Sequence, residues 1–181
     1  MTAEYGMLPA STHERRSRDV TRGKLDGRSS EIQRLIGRSL RAVIDMEVLG
    51  ERTIWVDCDV LTADGGTRCA SICGGYIALE LAVRGLIADG RLERTPVLHS
   101  VAAISVGIVD GECRLDLAYL EDSRAGADMN VVVNGAGELI EVQATAEGQS
   151  FGRDQLDRLL DLAVSGTDEL IRIQAEALAS S

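Results

Sequence analysis

Val101-Ala102-Ala103-Ile104-Ser105-Val106-Gly107-Ile108-Val109-Asp110-Gly111-Glu112-Cys113-Arg114-Leu115 decides the fold class. Strand-like runs at Val101–Val109 and 113–118 flank Asp110-Gly111, a dipeptide favoured in two-residue hairpin turns. A second pair of runs, 129–133 and 139–144, flanks Asn134-Gly135-Ala136-Gly137. Working outward, the chain turns helical. Helices are expected at the C-terminal end over 153–164 and 167–179. Upstream, Cys69 to Ala88 reads as a helix from 67, closed by Gly90. A strand over 53–61 puts Ile54, Val56, Cys58 and Val60 on one face. An earlier helix opens at Arg28-Ser29-Ser30-Glu31-Ile32, with Ser30 and Gln33 spaced as a capping box, and ends at Gly50. Its apolar stripe is Ile32, Leu35, Ile36, Leu40 and Val43, with Arg34, Arg38 and Arg41 on another face. Residues 6–28 read as a long loop. Helices mixed with antiparallel hairpins make an α+β protein, expected to form one domain over residues 1–181.

Composition excludes several function classes. The chain has 181 residues, 45% hydrophobic and 27% charged, ordinary values for a globular domain. No apolar run is expected to reach the length of a membrane span, and the N-terminus has no signal-peptide pattern, so a cytoplasmic protein without membrane contact is expected. Cys58, Cys69, Cys73 and Cys113 read as small buried thiols, because His13 and His99 lie near none of them and no disulfide or zinc spacing appears. With two histidines and no Ser-His-Asp arrangement, a protease or esterase is excluded. A net charge of −10 excludes a surface coated for nonspecific nucleic-acid binding. Arg15, Arg16, Arg18, Arg22, Lys24 and Arg28 nevertheless gather in one segment. That segment fits a confined anion site and a solvated loop equally well.

Two motifs carry chemistry. Asp64-Gly65-Gly66-Thr67-Arg68 lies between a strand and a helix. A glycine pair there lets backbone N–H groups approach a ligand, a helix N-terminus favours an anion, and arginine adds a planar fork. The stretch reads as an anion cradle, or more plainly as a glycine turn with an exposed arginine. It is no Walker loop, since Gly-Lys-Ser/Thr is absent. Asp116, Asp122 and Asp128 are spaced by six, the second expected at a strand end and the third at the start of the next strand. Paired carboxylates there suit Mg²⁺, although spacing fits solvated turn residues as well and does not choose among the three.

Taken together, the residues resemble the ribonuclease PH family. The resemblance runs through Thr2-Ala3-Glu4-Tyr5, Glu31-Ile32-Gln33-Arg34-Leu35-Ile36-Gly37-Arg38 and Asp57-Cys58-Asp59-Val60. It continues through Ala63-Asp64-Gly65-Gly66-Thr67-Arg68, Ala102-Ala103-Ile104-Ser105-Val106-Gly107, Glu121-Asp122-Ser123, Asp128-Met129-Asn130-Val131 and Thr145-Ala146-Glu147-Gly148. It implies a ribonuclease PH-like fold and a phosphorolytic 3′→5′ exoribonuclease, a nucleotidyltransferase that trims tRNA precursors and other RNA 3′ ends. Arg28, Gly66, Thr67 and Arg68 would hold inorganic phosphate, the co-substrate. Asp122 and Asp128 would be catalytic and hold Mg²⁺. Arg15 and Arg18 would grip RNA. A homo-oligomer is implied, a hexameric ring built as a trimer of dimers. The family carries a strand region ahead of the Thr2-Ala3-Glu4-Tyr5 stretch that this chain is expected to lack, usually has arginine where Ala10 stands, and usually has threonine where Cys69 stands. The alternative expectation is a noncatalytic ring subunit of the same fold.

Overall fold

The computed structural model describes residues 1–18, 21, 23, 26–147 and 150–180; Arg22 and Lys24 of the basic segment and Gly148 lie outside the described residues. The elements run in the order β1 (Thr2–Met7), α1 (Gly27–Arg41), α2 (Met46–Leu49), β2 (Trp55–Val60), α3 (Thr67–Ala88), β3 (Val101–Val109), β4 (Glu112–Leu115), α4 (Tyr119–Asp122), β5 (Ala127–Asn134), β6 (Leu139–Ala146) and α5 (Arg153–Ala179). The expected mixture of helices and antiparallel hairpins is present. A four-stranded sheet has the order β4-β3-β5-β6, and all its pairs are antiparallel. The turn between β3 and β4 holds Asp110 and Gly111 at φ 53° and 82°, the mirror-image turn that Asp-Gly favours.

β3 is buried along its whole length because both of its faces are covered. Ala103 and Val132 join the core beneath α1, α3 and β1, with Ile32, Leu35, Ile36, Leu40, Ile72 and Leu79. Ile104, Val106, Met129 and Val131, on the opposite face, pack with Leu159 and Ala163 of α5. The polar residues Ser105, Asp128 and Asn130 alternate with that second apolar set, so they share the face turned toward α3.

Several boundaries depart from the sequence expectations. β1 is a strand paired in parallel with β2, from Thr2↔Trp55 to Met7↔Val60, whereas only a loop was expected from residue 6. α1 begins at Gly27 with Asp26 before it, so Ser30 lies inside the first turn and caps nothing. The helix stops at Arg41; Gly50, at φ 69°, instead closes the short α2, which Asp45 caps through the N–H groups of Glu47 and Val48. β4 ends at Leu115, and residues 116–118, expected to continue the strand, instead link it to the helix α4. The two C-terminal helices are one. Gly166 does not break α5: a Cβ there would lie 2.8 Å from Ile104 Cδ1 and 2.8 Å from Leu115 Cδ1, so glycine lets the helix lie close on the sheet. α3, at 22 residues, is long and apolar enough to cross a membrane, contrary to expectation. In this structure its Cys69, Ile72, Tyr76, Leu79 and Val83 are buried in the core.

Candidate functional site

The Asp64–Arg68 stretch is the turn that feeds β2 into α3. Gly66 occupies the left-handed region at φ 70° and precedes the first helical residue, and no side chain caps the helix there. Gly65 allows a close backbone approach, since a Cβ on it would lie 1.9 Å from the carbonyl oxygen of Leu117. Asp64 Oδ1 accepts the N–H of Tyr119 at 2.7 Å, which ties the turn to α4. From the other side Tyr5 Oη meets Thr67 Oγ1 at 2.8 Å. Gly66, Thr67 and Arg68 then line a polar cavity of about 350 Å³. Arg68 is held rather than free: its Nη1 donates to Gln143 Oε1 at 2.8 Å and pairs with Glu31 Oε2 at 3.3 Å. Arg28, in the first turn of α1, lines the same cavity. It has no carboxylate partner among the ion pairs of the described residues.

Facing this cationic wall are Asp122 and Asp128. Asp122 is the last residue of α4, not a strand end as expected, and Asp128 is the second residue of β5. α4 is anchored to β4 by Arg114, whose Nη1 donates to Glu121 Oε1 at 2.7 Å. That partner and the N–H of Ala118 hold the Glu121 carboxyl below the usual range. Burial pushes the Asp128 carboxyl above its ordinary value, the negative charge of Asp122 adds to this, and Arg68 opposes it. The two carboxylates therefore feel one another. Asp116 is exposed and does not line the cavity, which leaves Asp122 and Asp128 as the pair brought together.

Among the described residues no group of three His, Cys, Asp or Glu side chains is gathered tightly enough to hold a metal by protein ligands alone. Mg²⁺ does not need such a group, because it binds through one or two carboxylates, substrate phosphate and water. Two carboxylates lining one polar cavity, one of them raised by burial and by its neighbour's charge, fit such a cation.

The cavity also takes in residues to which sequence reasoning gave no role: Ser105, Ser123, Asn130 and Glu147. For Asn130 the signal was present, since 128 and 130 must share a strand face. Ser105 could be found only from the register that sets it opposite Asn130. Arg15 and Arg18 are exposed and stand outside this cavity. Arg18 lines a neighbouring hollow of about 160 Å³ with Arg16 and Arg28, so Arg28 borders both; Arg15 lines neither. A larger cavity of about 640 Å³ lies between β2 and α3, but no arginine, lysine or histidine lines it, so it does not suit an anion.

Comparison with known proteins bears on this arrangement. Residues 1–84 match the model of domain 1 of the 3′ exoribonuclease family, and residues 99–166 match that of domain 2. The chain is 60% identical over 178 residues to ribonuclease PH of Moorella thermoacetica, covering 98% of this chain and 71% of the relative. It is 58% identical over 178 residues to ribonuclease PH of Syntrophomonas wolfei, covering 98% of this chain and 74% of the relative. Among solved structures, rice (Oryza sativa) Rrp46 superposes with a TM-score of 0.72 at 17% identity, covering 98% of this chain and 73% of that one, a likeness of fold. With models of both domains matched along one chain and about 60% identity to two ribonuclease PH relatives, the protein belongs to the ribonuclease PH group of the 3′ exoribonuclease family.

Proposed function

We propose that this protein is a phosphorolytic 3′→5′ exoribonuclease that uses inorganic phosphate to release nucleoside diphosphates from RNA 3′ ends, tRNA precursors among them. The observation that carries the reading is that one cavity joins Arg28 and the Gly66-Thr67-Arg68 turn to Asp122 and Asp128. Phosphate and an RNA phosphodiester are both anions. Bringing them into contact requires fixed positive charge on one side and a place for a cation on the other.

In the proposed reaction an oxygen of bound phosphate attacks the phosphorus of the terminal phosphodiester. The bond from that phosphorus to the 3′ oxygen of the preceding nucleotide breaks. The products are a nucleoside diphosphate and an RNA one nucleotide shorter with a free 3′ hydroxyl. Arg28 and Arg68 hold the attacking phosphate, the first-turn N–H groups of α3 orient it, and the Glu31 and Gln143 contacts keep Arg68 from swinging away. Asp122 and Asp128 would hold Mg²⁺, which would supply charge neutralisation. The same pair would serve the leaving 3′ oxygen. Arg15 and Arg18, outside the cavity, would bind the body of the RNA. Assembly as a hexameric ring, a trimer of dimers, would bring such loops around an RNA path. A cytoplasmic location would suit RNA processing.

The test is direct. Incubation of the protein with a 3′-extended RNA and Mg²⁺ should release nucleoside diphosphates only when phosphate is added. Release of nucleoside monophosphates without added phosphate would mean hydrolysis and would overturn the reading. No release of either, with RNA still bound, would favour the noncatalytic subunit.

A further inference from the structure

Between the cationic wall and the carboxylates runs a neutral rung of which the mechanism above uses only Gln143. Ser105 of β3, Asn130 of β5 and Gln143 of β6 are directly opposite one another across three strands. Side chains so paired share one face of the sheet, and here it is the face on which the first turn of α3 sits. Two contacts dock that turn on the rung: Arg68 Nη1 donates to Gln143 Oε1 at 2.8 Å, and Cys69 Sγ donates to Asn130 Oδ1 at 3.3 Å. Burial pushes the Cys69 thiol up to about 12, so it stays protonated and remains a donor at neutral pH.

Two hydrogen-bond donors on the rung are left over. The Asn130 carbonyl is engaged by Cys69, while its Nδ2 donates to nothing among the described residues. Ser105 is 6% exposed, and its Oγ accepts the Leu117 N–H at 3.2 Å. No acceptor among the described residues takes the hydroxyl proton of Ser105. Both residues line the cavity. Ser105 Oγ also lies against the cradle itself, 3.4 Å from where a Cβ on Gly66 would stand. Unengaged donors that border a cradle for an anion have an obvious use, because hydrogen bonds to a charged acceptor are stronger than neutral ones.

Resting on the phosphorolytic reading, we infer that Ser105 Oγ and Asn130 Nδ2 are further ligands of the attacking phosphate, and that Cys69 is a positioning residue that turns the Asn130 amide so that its NH₂ group enters the cavity. Neutral donors there would hold phosphate oxygens beside Asp122 and Asp128 without a third cation to compete with Mg²⁺.

Steady-state kinetics with phosphate and RNA varied separately, together with thermal-shift titration by phosphate alone, test the assignment. Ser105→Ala and Asn130→Ala should each raise KM for phosphate about tenfold. KM for RNA should stay within about twofold. The phosphate concentration that gives half the thermal shift should rise in parallel. Cys69→Ala should reproduce part of the Asn130→Ala effect, and Cys69→Ser, which restores a donor, should reverse it. Ser105→Ala removes the acceptor of a buried N–H; if it does not fold, Asn130→Ala and the Cys69 pair carry the test. An unchanged phosphate KM in the folded variants, or an equal rise in KM for RNA, would overturn the assignment. If the wild type itself needs no phosphate, the phosphorolytic reading fails first, and the two failures are thereby told apart.

Discussion

Gly65 shows how one residue can decide whether the site exists. Its Cα packs so closely on the link between β4 and α4 that any side chain would strike the Leu117 carbonyl. Gly65→Ala must therefore push the cradle away from α4, and with it from Asp122. Overpacking of this kind costs about 1–3 kcal/mol, and turnover should fall much further than stability, which a thermal melt run beside an activity assay would show. The carboxylates make a different prediction. Asp122→Asn or Asp128→Asn should abolish turnover with the fold intact, while Asp116→Asn, outside the cavity, should do little. Equal loss from all three would refute the assigned pair.

Asp128 also has a pH signature. Its folded pKa is raised by burial and by Asp122, so its ionised form weakens the fold. In metal-free protein Asp128→Asn should therefore be more stable than wild type above the folded pKa of Asp128. That advantage should shrink as pH falls through that value and vanish below the ordinary aspartate range. Melting temperatures of both proteins across that window, in chelator, measure it, and a constant difference would contradict the cause given. At this scale the sequence was most legible where chemistry is local. The glycine pair and its arginine are adjacent, so the cradle could be read directly. Ser105 and Asn130 lie 25 residues apart (130 minus 105) and meet only through strand register, which no local pattern encodes.

The elements teach the same point about range. The β3–β4 hairpin was legible because Asp110-Gly111 demands a particular turn and the strands flank it. β1 was not, because six residues with two buried positions, Ala3 and Tyr5, look like part of the loop that follows. Only the partner β2 makes them a strand. Two helices were expected where α5 is one, and Gly166 lies inside it although glycine in a helix interior is ordinarily unfavourable. Here tertiary packing overrides that preference. Gly166→Ala should gain helix propensity and still lose about 1–3 kcal/mol, since its methyl would strike Ile104 and Leu115. A chemical-denaturant melt showing Gly166→Ala to be the more stable protein would mean that α5 does not lie this close to the sheet.

Across the whole molecule, charge is arranged against its average. A chain of net charge −10 keeps Arg28 and Arg68 on one cavity and Arg16 and Arg18 beside the neighbouring hollow that Arg28 also borders. If Arg15 and Arg18 bind the RNA body, Arg15→Ala with Arg18→Ala should raise KM for a tRNA precursor and make binding less salt-dependent. A short oligonucleotide that cannot reach the loop should be degraded as before, and equal harm to both substrates would move these arginines into the catalytic site or the assembly. The central claim, that the cavity joins free phosphate to an RNA end, is tested most directly by following the phosphorus. With ³²P-labelled inorganic phosphate, Mg²⁺ and unlabelled RNA, the label should appear in the β-phosphate of released nucleoside diphosphates, and Arg28→Ala should suppress it. Nucleotide release with no label incorporated would contradict the account.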